Sequence, residues 1–500
     1  MLARRAGRFI IGLLVWSALA AVASAAGKQY EIRYAGAARA EPFSGRVYLF
    51  FTKDPKREPR FGPDWFHPEP MLAVDIENWR PDAPLTIDPS IANWTVSFPK
   101  PLAELDLAGY RVQAVARFNP YERVIGKGPG NGFSAPVDVK AGDGPTELRI
   151  DKLVEATPFP ENQWMKLLRV ESPLLTEFHQ RPVATQGAVL LPASYYSSPE
   201  RRYPVIFSVP GFGGTHRDRI HKEPIQERNK EGVEFIRVTL DPSCPLGHHV
   251  FADSANNGPV GKALIDEFIP ALDRQFRTIP AATARFLTGH SSGGWSTLWL
   301  QTTYPDTFGG TWSTAPDPVD FRDFQRIDLY RPGENMYRDR EGNRRPLARV
   351  GGQTVLWYDD FDHMEETLGP GGQLHSFEAV FSPRGSDGNP RRVWDRKTGT
   401  IDTAAAELWK AYDIRLILES RWAELGPKLA GKLHVIMGEE DTFFLEGATK
   451  LLQESQKKLG SDAVVELVPG KDHSTLYSPE LLQRIRSEMV DVFLKNHPPH

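Results

Sequence analysis

Five hundred residues exceed what one compact core serves, so two or three domains are expected. A hydrophobic fraction of 40% with 25% charged residues excludes a disordered or low-complexity chain. The 60 Lys and Arg against 64 Asp and Glu give a net charge of -4, and no basic block offsets it, which argues against a nucleic-acid partner.

The first 25 residues read as a signal peptide. Arg4, Arg5 and Arg8 supply a basic start, residues 9–22 an apolar run, and Ala23-Ser24-Ala25 a small-residue cleavage site. Lys28 ends the segment too soon for a stable membrane span. The expected location is therefore secreted or periplasmic. Cys244 is the only cysteine, so the exported chain is held by core burial without an internal disulfide.

Residues 27–150 alternate in the manner of strands. Tyr30, Ile32 and Tyr34 share one face, and so do Trp94, Val96 and Phe98, and Tyr110, Val112, Ala114 and Ala116. Residues 47–51 form a strongly apolar strand. Short strands between Pro, Gly and Asp clusters predict an Ig-like β-sandwich.

Residues 151–500 change rhythm from about position 180. Apolar strands are predicted at 187–192, 203–209, 233–240, 284–288, 433–437 and 464–468. Amphipathic helices alternate with them. One starts at Pro259 and repeats Leu264, Phe268, Leu272 and Phe276, and others cover 296–301, 446–459 and 479–496. Continuous apolar strands between such helices predict an α/β fold, a mostly parallel sheet covered by helices on both faces. Residues 315–410, rich in Arg, Asp, Gly and Pro, break the rhythm. They read as an insertion over the top of the sheet, helical in part.

Three strand ends carry the chemistry. After strand 284–288 comes Gly289-His290-Ser291-Ser292-Gly293-Gly294-Trp295. A G-x-S-x-G turn between a strand and a helix lifts a serine Oγ above the sheet edge, so Ser291 is the candidate nucleophile. A serine hydroxyl needs a base, and the base needs an orienting carboxylate. Asp441 follows strand 433–437, with Glu440 as its rival, and His473 follows strand 464–468. Their chain order, Ser then Asp then His, suits this sheet type. Asp472 adjoins His473 too closely in sequence to orient it. Backbone N–H groups for an oxyanion are expected from Ser292 and from Phe212 in the Pro210-Gly211-Phe212-Gly213-Gly214 loop, with Gly211 as the alternative to Phe212.

These motifs, with Tyr304-Pro305-Asp306-Thr307-Phe308-Gly309-Gly310, resemble the putative-esterase family of α/β-hydrolases, which includes esterase D, feruloyl esterases and enterochelin esterase. The likeness spans roughly residues 180–310 and 430–495. It implies an α/β-hydrolase fold and cofactor-free cleavage of carboxylic esters. The triad residues themselves lead us to expect an acyl-enzyme on Ser291, and the expected substrate is a small-molecule or polysaccharide-linked ester. A β-sandwich ahead of the catalytic domain is similar to the layout of enterochelin esterase. The 150 positions between Ser291 and Asp441 depart from the family pattern, so its substrate pockets do not carry over.

Two other readings stay open at this point: acyl transfer by the same residues, and a glycan- or partner-binding surface protein with an inactive hydrolase domain. No metal is assigned, because His248, His249, Asp360, Asp362 and His363 lack further ligands at a recognisable spacing. The 240–258 segment is a candidate pocket wall.

Overall fold

The computed structural model describes residues 28–91, 95–140, 144–227, 229 and 231–498. The signal segment and Trp94 lie outside the described residues. The chain divides into two compact units, one of residues up to Asn119 together with Ile125–Glu155, the other of Pro120–Val124 and Ala156–His500.

In the first unit nine strands join one hydrogen-bonded sheet. Its order is Leu85–Ile87, Tyr30–Tyr34, Thr146–Leu153, Gly132–Ser134, Arg111–Ala116, Phe43–Thr52, Met71–Trp79 and Thr95–Phe98, with Val137–Asp138 also paired to Arg111–Ala116. The strands of Tyr30 and Phe51 are four places apart in that order, about 19 Å across a flat sheet. Their rings nevertheless lie 5.7 Å apart, so the sheet curls over on itself. Tyr30, Ile32 and Tyr34 then face Val47, Leu49 and Phe51 in one buried cluster, as the two faces of a sandwich would. Alternation in each strand produces that core, because only every second side chain points inward.

The second unit is an α/β-hydrolase sheet of eight strands. These are β1 (Met165–Glu171), β2 (Ala184–Leu190), β3 (Val205–Val209), β4 (Ile236–Leu240), β5 (Arg285–His290), β6 (Gly310–Thr314), β7 (Leu433–Gly438) and β8 (Val464–Val468). The spatial order is β1-β2-β4-β3-β5-β6-β7-β8. All pairs from β4 to β8 are parallel, while β1 and β2 pair antiparallel at one end. Phe207, Val238 and Leu287 on one face and Ile206 and Phe286 on the other are all buried, the signature of strands covered on both faces.

The helix expected from Pro259 is present, but it widens to a π-helical segment at Ala263–Phe268 between Val260–Lys262 and Ile269–Gln275. Leu264, Phe268 and Leu272 repeat every fourth residue. An ideal α-helix with 3.6 residues per turn would rotate that stripe off the sheet, and the wider turn counters the drift.

The insertion contains an antiparallel hairpin, Pro346–Val350 with Gln353–Trp357, and the helices Tyr358–Leu368, Gln373–Phe381 and Thr403–Trp409. It has an aromatic core of its own, in which Phe321, Phe324, Phe377, Phe381 and Trp409 pack edge-to-face, tilted or, for Phe377 on Phe381, stacked. That core continues onto the helix after β5 through Trp295 and Phe381, 5.2 Å apart. The insertion is thus packed directly on the element that follows the G-x-S-x-G turn.

Candidate active site

The turn after β5 is tight because two glycines let the helix α1 (Ser292–Thr303) lie against the sheet. A methyl at Gly289 would strike the backbone of Gly293 and Gly294, and one at Gly293 would strike the carbonyl oxygens of Val209 and Pro210. At the apex Ser291 adopts φ 60 and ψ -128, a conformation that side-chain-bearing residues rarely hold. Strand β6 and helix α1 fix it there. Ser291 N–H donates to Thr314 O at 3.0 Å, and Trp295 N–H donates to Ser291 O at 3.0 Å. Ser291 is half-buried, and Ser292 begins α1, where first-turn N–H groups have no acceptor within the helix.

Asp441 and His473 meet at the carboxyl edge of β7 and β8. His473 Nδ1 stands 2.7 Å from Asp441 Oδ2, and Asp441 is fully buried. The other Asp441 oxygen, Oδ1, accepts the backbone N–H of Phe443 at 2.8 Å and of Leu445 at 3.4 Å. Glu440, the rival, is exposed. Asp472 is occupied by its own loop, accepting Ser474 N–H at 3.0 Å and Thr475 N–H at 2.7 Å. Burial alone would push the His473 pKa down. The Asp441 charge and hydrogen bond outweigh it, with Asp317 and Asp472 adding, so the pKa is raised above its ordinary value.

The Ser291 turn touches this pair through His290, whose ring lies 4.6 Å from that of His473 and 5.0 Å from that of Tyr477. Burial, with the adjacent His473 charge, pushes His290 down to about 3, so it stays neutral and does not compete for the proton. Among the described residues no hydrogen bond joins Ser291 Oγ to His473. Such contacts commonly tighten only with substrate bound.

The 210–214 loop runs alongside. A Cβ placed on Gly211 would stand 3.3 Å from Ser291 Cβ and 3.8 Å from its Oγ. Phe212 and Gly213 form the corner of a turn closed by Gly214 N–H to Gly211 O at 3.0 Å, with Gly213 at φ +87. His248 of the 240–258 segment contacts the same loop, its Nε2 lying 3.0 Å from Pro210 O. Burial pushes Cys244 up to about 12, which leaves a thiol rather than a thiolate. Among the described residues no group of His, Cys, Asp and Glu could hold a metal ion.

Several residues at the site carry no motif. Asp317, in the loop after β6, accepts Ser292 Oγ–H at 2.5 Å, and Gln373 of the insertion donates to both, at 3.3 Å and 3.5 Å. Burial pushes Asp317 up to about 6. Arg349, also from the insertion, donates to the Asp441 carbonyl at 3.1 Å and pairs with Glu446 at 2.8 Å. The only signal for Asp317 was its place after a strand at the sheet's carboxyl edge. Gln373 and Arg349 arrive by tertiary packing, which no local pattern announces.

A model of the family described as "Putative esterase" matches residues 182–478. Among curated proteins no sequence matches. Among solved structures, a ferulic acid esterase is 12% identical, over 66% of this chain and 99% of that one, with a TM-score of 0.40. The S-formylglutathione hydrolase of Agrobacterium tumefaciens is 15% identical, over 66% of this chain and 95% of that one, also at 0.40. FphF of Staphylococcus aureus, a fluorophosphonate-binding serine hydrolase, is 15% identical, over 65% and 98%, at 0.38.

Proposed function

The chain belongs to the putative esterase family and is a carboxylic ester hydrolase, and we propose that it works as an exported serine esterase with Ser291, His473 and Asp441 as its triad. Ser291 Oγ attacks the ester carbonyl carbon while His473 Nε2 takes its proton. The tetrahedral intermediate collapses, the leaving alcohol takes that proton from His473, and an acyl-enzyme remains. Water, activated by the same imidazole, attacks the acyl carbonyl and releases the acid and free Ser291. Asp441 holds the imidazole in the tautomer that exposes an acceptor at Nε2. The N–H groups of Ser292 and Phe212 receive the developing oxyanion.

The observation that carries this reading is the buried 2.7 Å contact between His473 and Asp441, beside a serine at φ 60 that caps a helix. Replacing Ser291 by Ala tests it. The variant should fold with an unchanged circular dichroism spectrum and lose esterase turnover by about three orders of magnitude or more. Activity near wild type would sink the assignment.

Export rests on Arg4, Arg5 and Arg8 ahead of an apolar run and Ala23-Ser24-Ala25. N-terminal sequencing of protein from the cell envelope fraction should begin just after residue 25. A cytoplasmic chain starting at Met1 would refute it. Among the described residues no helix is long and apolar enough to cross a membrane. We take the substrate to be a small-molecule or polysaccharide-linked ester, with no nucleic-acid partner.

A further inference from the structure

Arg123 lies outside every motif, yet it stands beside the loop assigned to the oxyanion. It belongs to Pro120–Val124, the short segment counted with the catalytic unit. Its Nη2 donates to Gly213 O at 3.2 Å, and its guanidinium carbon sits 5.0 Å from the centre of the Phe212 ring. Its stem passes two further loops. A Cβ placed on Gly371 would stand 3.1 Å from Arg123 Cγ and 3.3 Å from Pro245 O. Arg123 is therefore half-buried where the 210–214, 243–248 and 369–372 loops converge.

Its charge has no ion-pair partner there. The acidic groups whose field reaches it are Asp241, its chain neighbour Glu122, and Glu365. None forms a salt bridge with it among the described residues. Asp241 is committed to His216 Nδ1 at 2.7 Å and to Ser243 Oγ at 2.6 Å. Glu365 accepts the N–H groups of Gln373 at 2.5 Å, Leu374 at 2.9 Å and His375 at 3.2 Å. A guanidinium carries five donors, stays protonated, and matches a carboxylate with its planar fork.

We propose that Arg123 is a specificity-determining residue that receives a carboxylate of the substrate, so that the preferred esters carry a negative charge a few atoms from the scissile carbonyl. The inference rests on the Ser291 esterase reading. It extends that reading because Gly211, two residues from the Arg123 acceptor, abuts Ser291. A substrate carbonyl seated between Ser291 and the 210–214 loop would place a short acidic chain toward the guanidinium, where a bidentate contact is available.

The test compares two p-nitrophenyl esters of similar size, the hemisuccinate and the neutral pentanoate, in wild type, R123Q and R123K. The ratio of kcat/KM, hemisuccinate over pentanoate, should fall about tenfold or more in R123Q, mostly through KM, as expected for a lost charge-assisted contact. R123K should lie between, since it keeps the charge without the fork. An unchanged ratio would overturn the proposal while leaving the esterase reading intact, and so would an equal fall for both esters, which marks a structural role. If wild type turns over neither ester, the esterase reading fails and the proposal falls with it. If R123Q does not fold, R123K against wild type decides by the same ratio.

Discussion

Replacing Asp441 by Asn separates a triad from a buried ion pair that only stabilises the fold. The two Asp441 oxygens have different partners. Oδ1 accepts Phe443 N–H at 2.8 Å and Leu445 N–H at 3.4 Å, so in the variant this position must remain an oxygen. The new amide nitrogen then takes the Oδ2 position, 2.7 Å from His473 Nδ1, and points a hydrogen at it. The imidazole must accept there, which moves its own proton to Nε2 and removes the acceptor that Ser291 needs. Nothing changes in volume, and the local hydrogen bonds are kept, so the fold should hold. Loss of the correct tautomer costs about 10⁴ in kcat, or about 5.5 kcal/mol of transition-state stabilisation. The loss of a purely structural hydrogen bond costs about 1–3 kcal/mol of stability and leaves turnover alone. Steady-state hydrolysis of p-nitrophenyl acetate, with thermal melts of both proteins, reads the two effects separately. A fall of less than about 30-fold in kcat, or a melt shift with unchanged turnover, would refute the reasoning.

Two further outcomes follow from the same geometry. His473 must be neutral to act as a base, and its pKa is raised, so the acid limb of kcat/KM should have its midpoint above the ordinary value of 6.5. Activity should rise with pH through that limb, and a midpoint below 6.5 would contradict the Asp441 contact. In G293A the new methyl meets the carbonyl oxygens of Val209 and Pro210, which are backbone and cannot swing away. The variant should lose about 1–3 kcal/mol of stability, roughly 2–4 °C of Tm per kcal/mol, and should lose activity as the 210–214 loop shifts. An unaltered melt would mean that α1 does not lie against β3.

The parts of the fold that were legible in sequence are those where one local rule dominates. Strands β3, β5 and β7 lie inside the sheet and so read as apolar runs, while β8, at its edge, is only partly buried although its sequence is equally apolar. The turns after β5, β7 and β8 carry the candidate nucleophile, acid and base at their carboxyl ends. Edge strand β1 and the helix Pro173–His179 were not anticipated. Only Met165 and Leu168 of β1 are buried, too few to set a period. Of the candidate site, the pairing of His473 with Asp441 was legible in the motifs, and the residues around them were not. Ser292 was expected to matter through its N–H alone, whereas its hydroxyl donates to Asp317. Gln373 and Arg349 lie 82 and 58 positions from Ser291 and reach the site because the insertion folds onto α1. Contacts of that separation leave no periodicity to find.

The most direct measurement is labelling of the purified protein with a fluorophosphonate, followed by mass spectrometry of the modified peptide. The probe phosphonylates an activated serine and requires no knowledge of the ester. The expected result is a label on Ser291 that disappears in His473→Ala. A label on another residue, or none on a folded protein, would contradict it.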